Sequence, residues 1–150
     1  MTPPGHPCKL RRMTVFKAVR LGASVRLDGN HAVVRETDAV APEWRGAQLL
    51  VAAVAAGYAT ELAAAASRLE IPVRALEVEA AGHLTSRRDD RYGIVAIEVD
   101  AVVEAAAEDA ERISLAADIA LDRCVVAAAL DVPLSHHVRV EQPHLRGVPA

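Results

Sequence analysis

Gly46–Leu69, GAQLLVAAVAAGYATELAAAASRL, is the longest apolar stretch in this 150-residue chain, and its reading decides the fold. Ala, Leu, Gln and Glu dominate it. All four are good helix formers, so one long, largely buried helix of about 35 Å is expected. Leu50, Val54, Tyr58 and Leu62 recur every four residues as a bulky stripe. Ala52, Ala56, Ala59, Ala63 and Ala66 form a small stripe that predicts close packing on a sheet or second helix, or a seam between two copies of this helix. Gly57 breaks the pattern. A mid-helix Gly costs about 1 kcal/mol relative to Ala, so its presence calls for a reason.

Upstream, residues 1–13 read as an arm, because Pro3, Pro4, Gly5 and Pro7 oppose regular structure. Thr14 to Val19 predicts a first strand. Ser24 to Leu27 and His31 to Arg35 flank Asp28-Gly29-Asn30 and predict a hairpin. Thr37 to Trp44, punctuated by Pro42, reads as a loop. Downstream, Pro72 closes the helical region. Val73 to Ala80 and Tyr92 to Val102 alternate apolar and charged residues, as half-buried strands do, and should pair across the mixed-sign run 87–91. Ala106 to Arg123 predicts a second helix with Ile113, Ala116, Ala117, Ala120 and Leu121 on its apolar side. A short apolar piece opens at Cys124, His137 to Val140 reads as a last strand, and 142–150 is a loose tail. The order β-β-β-α-β-β-α-β predicts one α+β domain over 14–141, with antiparallel strands and the helices on one face.

Composition narrows the function. Hydrophobic residues make up 52% and aromatics only 3%, so the core must be aliphatic, and extra burial through oligomerisation is expected. A net charge of −3 advertises no basic face, which argues against nucleic acid as a partner. The uncharged run Gly46–Thr60 is shorter than the roughly 18–20 residues of a membrane span, and no apolar run follows the basic N-terminus as a signal peptide requires. A cytoplasmic protein without a membrane partner is expected. Two cysteines, Cys8 and Cys124, make no disulfide framework. Of the six histidines, His136 and His137 are adjacent and would point to opposite faces of a strand. With no Cys-x-x-Cys or His-x-x-x-His spacing, no metal site is expected. Without a Gly-rich phosphate loop or nucleophile elbow, no cofactor is expected either.

Two segments carry a family resemblance. QLLVAAVAAGYA resembles the long-helix motif of the OsmC/Ohr family (osmotically inducible protein C and organic hydroperoxide resistance proteins), where a Leu- and Ala-rich run leads to a peroxide-reactive cysteine. AERISLAADIALDRCVVAAALDVPL resembles that family's second motif, a helix running into a second cysteine. The resemblance spans about Phe16 to Val140. It implies an intertwined homodimer, with the central helices buried between the copies and the active site at the interface. It also implies reduction of organic hydroperoxides: a thiolate becomes a sulfenic acid, the second cysteine closes a disulfide, and a dithiol reopens it. In that family an Arg lowers the first thiol's pKa and a Glu orients that Arg.

The chain departs from this pattern at its centre. With Gln48, Leu49 and Leu50 on the start of the motif, the reactive cysteine falls on Gly57. A shift of one residue gives Tyr58, and matching AAGYA to the hydroperoxide-resistance version gives Glu61. None is Cys. The orienting Glu falls on Ala47; Glu43 is the nearest carboxylate, and since a Pro-Glu pair also belongs to the family pattern, a short insertion after Pro42-Glu43 would restore that match. The activating Arg would be Arg20, Arg26 or Arg35. Cys124 remains at the second position, followed by Val125 and Ala127 where the family usually has Pro and Ser. Glu61 lies one turn beyond Gly57 and is expected to face the same space or to pair with an Arg from the sheet. Tyr58 would offer its phenol there or pack in the core. Two functions follow. One is a non-peroxidase family member with an interface pocket around Gly57, Tyr58 and Glu61 for a small apolar or lipid-like molecule. The other is a thiol peroxidase or redox sensor that acts on organic hydroperoxides through Cys124.

Overall fold

The computed structural model describes residues 19–28, 31–37, 40–86 and 91–143. Its elements are β1 (Val19–Asp28), β2 (His31–Glu36), a 3-10 turn (Pro42–Trp44), α1 (Arg45–Arg68), β3 (Ala75–Ser86), β4 (Tyr92–Glu104), a second 3-10 turn (Ala107–Asp109), α2 (Ala110–Arg123), α3 (Val125–Ala129) and β5 (Leu134–Glu141). This is the expected α+β architecture around one long helix. Of the first strand expected over 14–19, residues 14–18 lie outside the described residues, and Val19 opens β1.

The five strands lie in the order β2-β1-β3-β4-β5. Three of the four pairings are antiparallel, but β5 runs parallel to β4. That corrects the all-antiparallel expectation. The α2–α3 connection is long enough to carry the chain back to the starting end of β4, which a tight turn could not do. Leu76, Val78 and Ala80 of β3 and Ile97, Val99, Ala101 and Val103 of β4 face the core, with Glu77, Glu79, Glu98 and Asp100 on the outer face. Val95, which the alternation of Tyr92 to Val102 puts on the inner face with Ile97 and Val99, is 39% exposed. The β3–β4 register shifts at His83/Leu84, which pair with Ala96 and Ile94, so Val95 is the extra residue of a bulge.

α1 packs on β1, β3 and α2. Val54, Tyr58 and Leu62 of the bulky stripe are buried and Leu50 is half-buried. The small stripe divides. Ala52, Ala59 and Ala66 face the interior, while Ala56 is half-buried and Ala63 exposed. Those two belong instead to an outward row, Gly46, Leu49, Ala53, Ala56, Thr60, Ala63 and Ser67, spaced alternately three and four residues apart. Gln48 is fully buried, and its Nε2 donates to the Gly22 carbonyl at 3.1 Å. The same carbonyl accepts the Thr37 N–H at 3.2 Å, which ties α1 to β1 where β2 ends. At the other end, the Arg112 guanidinium donates to the Leu69 carbonyl and pairs with Asp109 at 3.1 Å. A cation there suits the negative end of the α1 dipole.

The segment Pro42–Arg68 has the length and hydropathy of a membrane span, although its uncharged run is too short for one. Half of that window is buried inside the chain, against the sheet and α2, which is the place of a core helix.

Candidate functional site

Gly57 and Cys124 come together. α2 ends at Arg123, Cys124 alone leaves helical geometry (φ −66°, ψ 106°), and α3 begins at Val125. This break turns the thiol inward, where Cys124 is 1% exposed. A Cβ built on Gly57 would lie 3.0 Å from Cys124 Sγ and 3.6 Å from Val126 Cγ2. That explains the glycine. The sulfur stands where a side chain would begin, so the space that a Gly was expected to leave open is filled. Among the described residues, none hydrogen-bonds the thiol.

Tyr58, the next residue, points elsewhere. Its hydroxyl is 2.8 Å from His136 Nδ1, with the rings edge to face at 5.8 Å. His136 Nε2 is 3.3 Å from Asp118 Oδ1. The tautomer that fits both contacts carries its proton on Nε2, so the phenol donates to Nδ1. Three elements are linked by this chain: Tyr58 on α1, His136 on β5 and Asp118 on α2. Tyr58 is 1% exposed, whereas the Asp118 side chain is 68% exposed. The sequence reading placed His136 and His137 on opposite faces, and β5 does alternate, with His136 half-buried and His137 exposed. It did not connect His136 to Tyr58. The available signal was chemical: a phenol in a buried stripe must find a partner.

Burial, and secondarily the Asp118 carboxylate, raise the Tyr58 phenol well above its ordinary range. A folded-state value above the unfolded one, about 10, means that stability from the neutral phenol is complete below that pH and is lost as pH rises past it. Denaturant midpoints are therefore expected to fall more steeply above about pH 10 for the wild type than for Tyr58→Phe.

Glu61 is half-buried one turn beyond Gly57, and no ion pair joins it to a described residue. Ala47 is half-buried in the first turn of α1, and Glu43 is exposed in the preceding 3-10 turn. Arg26 and Arg35 line the outer face of the sheet with Ser24, Val33 and Glu77, and Arg20 has the same outward parity on β1. None of the three therefore approaches Cys124 along the inner face of the sheet. Among the described residues, no three His, Cys, Asp or Glu side chains are placed to hold a metal.

The family model for OsmC-like proteins matches residues 38–138, which include all of α1 and Cys124. The chain belongs to the OsmC/Ohr family. Solved structures share its fold at low identity. An OsmC-like protein of unknown function from Vibrio cholerae is 12% identical with a TM-score of 0.57, over 75% of this chain and 80% of that one. An organic hydroperoxide resistance protein from Elizabethkingia anophelis, solved with thiocyanate bound, is 16% identical with a TM-score of 0.54, over 81% and 95%. An OsmC-like protein from Mycoplasma pneumoniae is also 16% identical with a TM-score of 0.54, over 85% and 98%. No curated protein sequence matches the chain.

Proposed function

We propose that this OsmC/Ohr-family protein is a non-peroxidase member of its fold, a cytoplasmic homodimer that takes a small apolar molecule at the interface of its two copies. One observation carries the first part. A Cβ at position 57 would lie 3.0 Å from Cys124 Sγ, about the distance from one Cβ to the partner sulfur across a disulfide. This favours the register that puts the family's reactive cysteine on Gly57 over those that put it on Tyr58 or Glu61. Cys124 then keeps the place of the second cysteine without a first. The dimer draws support from the outward row of α1, with Leu49 56% exposed, and from Leu115 at 52% and Val125 at 78%. Exposed apolar side chains of this size on three helices suit an interface.

With an organic hydroperoxide and a dithiol reductant, wild type and Cys124→Ser are expected to consume peroxide equally, at the rate of buffer alone. Turnover that depends on Cys124, together with a sulfenylated Cys124 by mass spectrometry, would replace this proposal with the one-cysteine peroxidase or redox sensor. Sedimentation should give a dimer at micromolar concentration, and a monomer would remove the interface.

A further inference from the structure

The Tyr58–His136–Asp118 chain has no part in the Gly57–Cys124 pair. It joins a buried phenol to an exposed carboxylate through one imidazole, with separations of 2.8 and 3.3 Å. A proton moves only across a short hydrogen bond, whereas an electron can tunnel through several ångströms of packed protein. A phenol closed off from solvent can therefore lose an electron to an oxidant outside, provided a base beside it takes the proton. We propose that Tyr58 is a redox-active tyrosine that gives one electron to a small radical oxidant of the organic peroxyl class while its proton passes to His136.

The step balances. The phenol O–H bond breaks, and the electron reduces the peroxyl radical to a hydroperoxide anion, which takes a proton from water. The phenol proton bonds to His136 Nδ1, and the imidazolium releases its Nε2 proton by way of Asp118 to solvent, where it neutralises the hydroxide left by that water. The net change is one hydrogen atom from tyrosine to peroxyl radical, leaving a neutral tyrosyl radical and an organic hydroperoxide. Each residue has a physical part. His136 spares the phenol from forming a strongly acidic cation radical. The Asp118 carboxylate stands 3.3 Å from His136 Nε2, in place to receive the proton released there. Burial of Tyr58 to 1% exposure keeps the radical from coupling with another molecule. The raised phenol pKa keeps the proton in place until the electron leaves. Tyr92 is the internal contrast. It is 48% exposed, packs its ring against Trp44 at a tilt of 59° and a centroid separation of 4.7 Å, and its hydroxyl makes no hydrogen bond to a described residue. The proposal does not rest on the function proposed above.

The test is photo-oxidation of the purified protein with a ruthenium–bipyridyl sensitiser and persulfate, followed by freeze-quenching and electron paramagnetic resonance. The chain has two tyrosines, so Tyr92→Phe leaves Tyr58 as the sole source of a tyrosyl signal. That variant is expected to give the signal, and the further change Tyr58→Phe to abolish it. Adding His136→Gln to Tyr92→Phe should lower the yield about tenfold or more, as removal of a proton acceptor does. Formation should also slow in deuterated water, a comparison that needs no change at His136 and so survives misfolding of that variant. A peroxyl-releasing azo compound should produce the same species. No tyrosyl signal in Tyr92→Phe, a yield indifferent to a folded His136→Gln, or no solvent isotope effect would each overturn the proposal. A signal from the sensitiser alone would overturn the peroxyl assignment.

Discussion

Replacing Gly57 with cysteine is expected to give a protein that closes an internal disulfide with Cys124 under mild oxidation. The new Cβ starts 3.0 Å from Cys124 Sγ, with Val126 Cγ2 next at 3.6 Å. In a disulfide with an S–S bond of about 2.04 Å, each Cβ lies about 3 Å from the other sulfur. The backbones of α1 and of the α2–α3 break are thus already at bonding separation, and only side-chain rotation is required. Closing the loop between positions 57 and 124 is worth about 4 kcal/mol in the chain-entropy account. In a Cys8→Ser background, thiol titration should fall from two groups to none after treatment with oxidised glutathione. The denaturation midpoint should rise and return to its starting value with reductant. Ala56→Cys, one residue away, should do neither. Two persistent thiols in Gly57→Cys would mean that the helix does not present position 57 to Cys124, and the register assigned to the family motif would fall with it. Peroxide turnover in the repaired variant is expected to stay weak, because Arg26 and Arg35 lie on the outer face of the sheet, away from Cys124.

Period and composition were enough to read α1. Its observed bounds, Arg45–Arg68, differ by one residue at each end from those predicted by the apolar run. The alternation in β3 was legible over residues 75–80, although the strand runs on to Ser86, and of the apolar side expected for α2 Ile113, Ala116, Ala117 and Ala120 are buried while Leu121 is half-buried. What the sequence did not reveal depends on elements meeting across the fold. Val95 obeys the alternation locally but is turned out by a bulge whose cause lies in the pairing with His83 and Leu84. The parallel seating of β5 follows from the length of the α2–α3 connection rather than from any feature of Leu134–Glu141. Gln48 looked like an ordinary helix former, and its burial makes sense only beside the Gly22 carbonyl. For Gly57 the sequence posed the question correctly but suggested open space. The answer needed Cys124, distant in sequence, to place its sulfur there. The Tyr58–His136 contact was hidden for the same reason.

The second large effect is expected at Gly82. This β3 residue faces α1, and a Cβ added there would stand 2.6 Å from Val51 Cγ2, well inside the roughly 3.5–4.0 Å of an ordinary carbon contact. Val51 is fully buried and cannot move aside easily, because a β-branched side chain in a helix holds one χ1 rotamer. The strain must therefore lift α1 from the sheet. Overpacking of this kind costs about 1–3 kcal/mol, and Gly82→Ala should fall at the upper end because both backbones belong to regular elements. Val51→Ala alone should also destabilise, by leaving a cavity. Together the two changes should be better tolerated than their sum, with a coupling of about 1 kcal/mol or more by denaturant unfolding. Simple additivity would show that Val51 is not what the new methyl meets. The coupling should reach the polar chain too. Tyr58 rides on α1 two turns beyond Val51, and a shift of a few tenths of an ångström lengthens its 2.8 Å contact with His136. The phenol proton should then exchange faster in Gly82→Ala and recover in the double variant, because the close approach of Gly82 and Val51 sets the height at which α1 delivers Gly57 and Tyr58 to their partners.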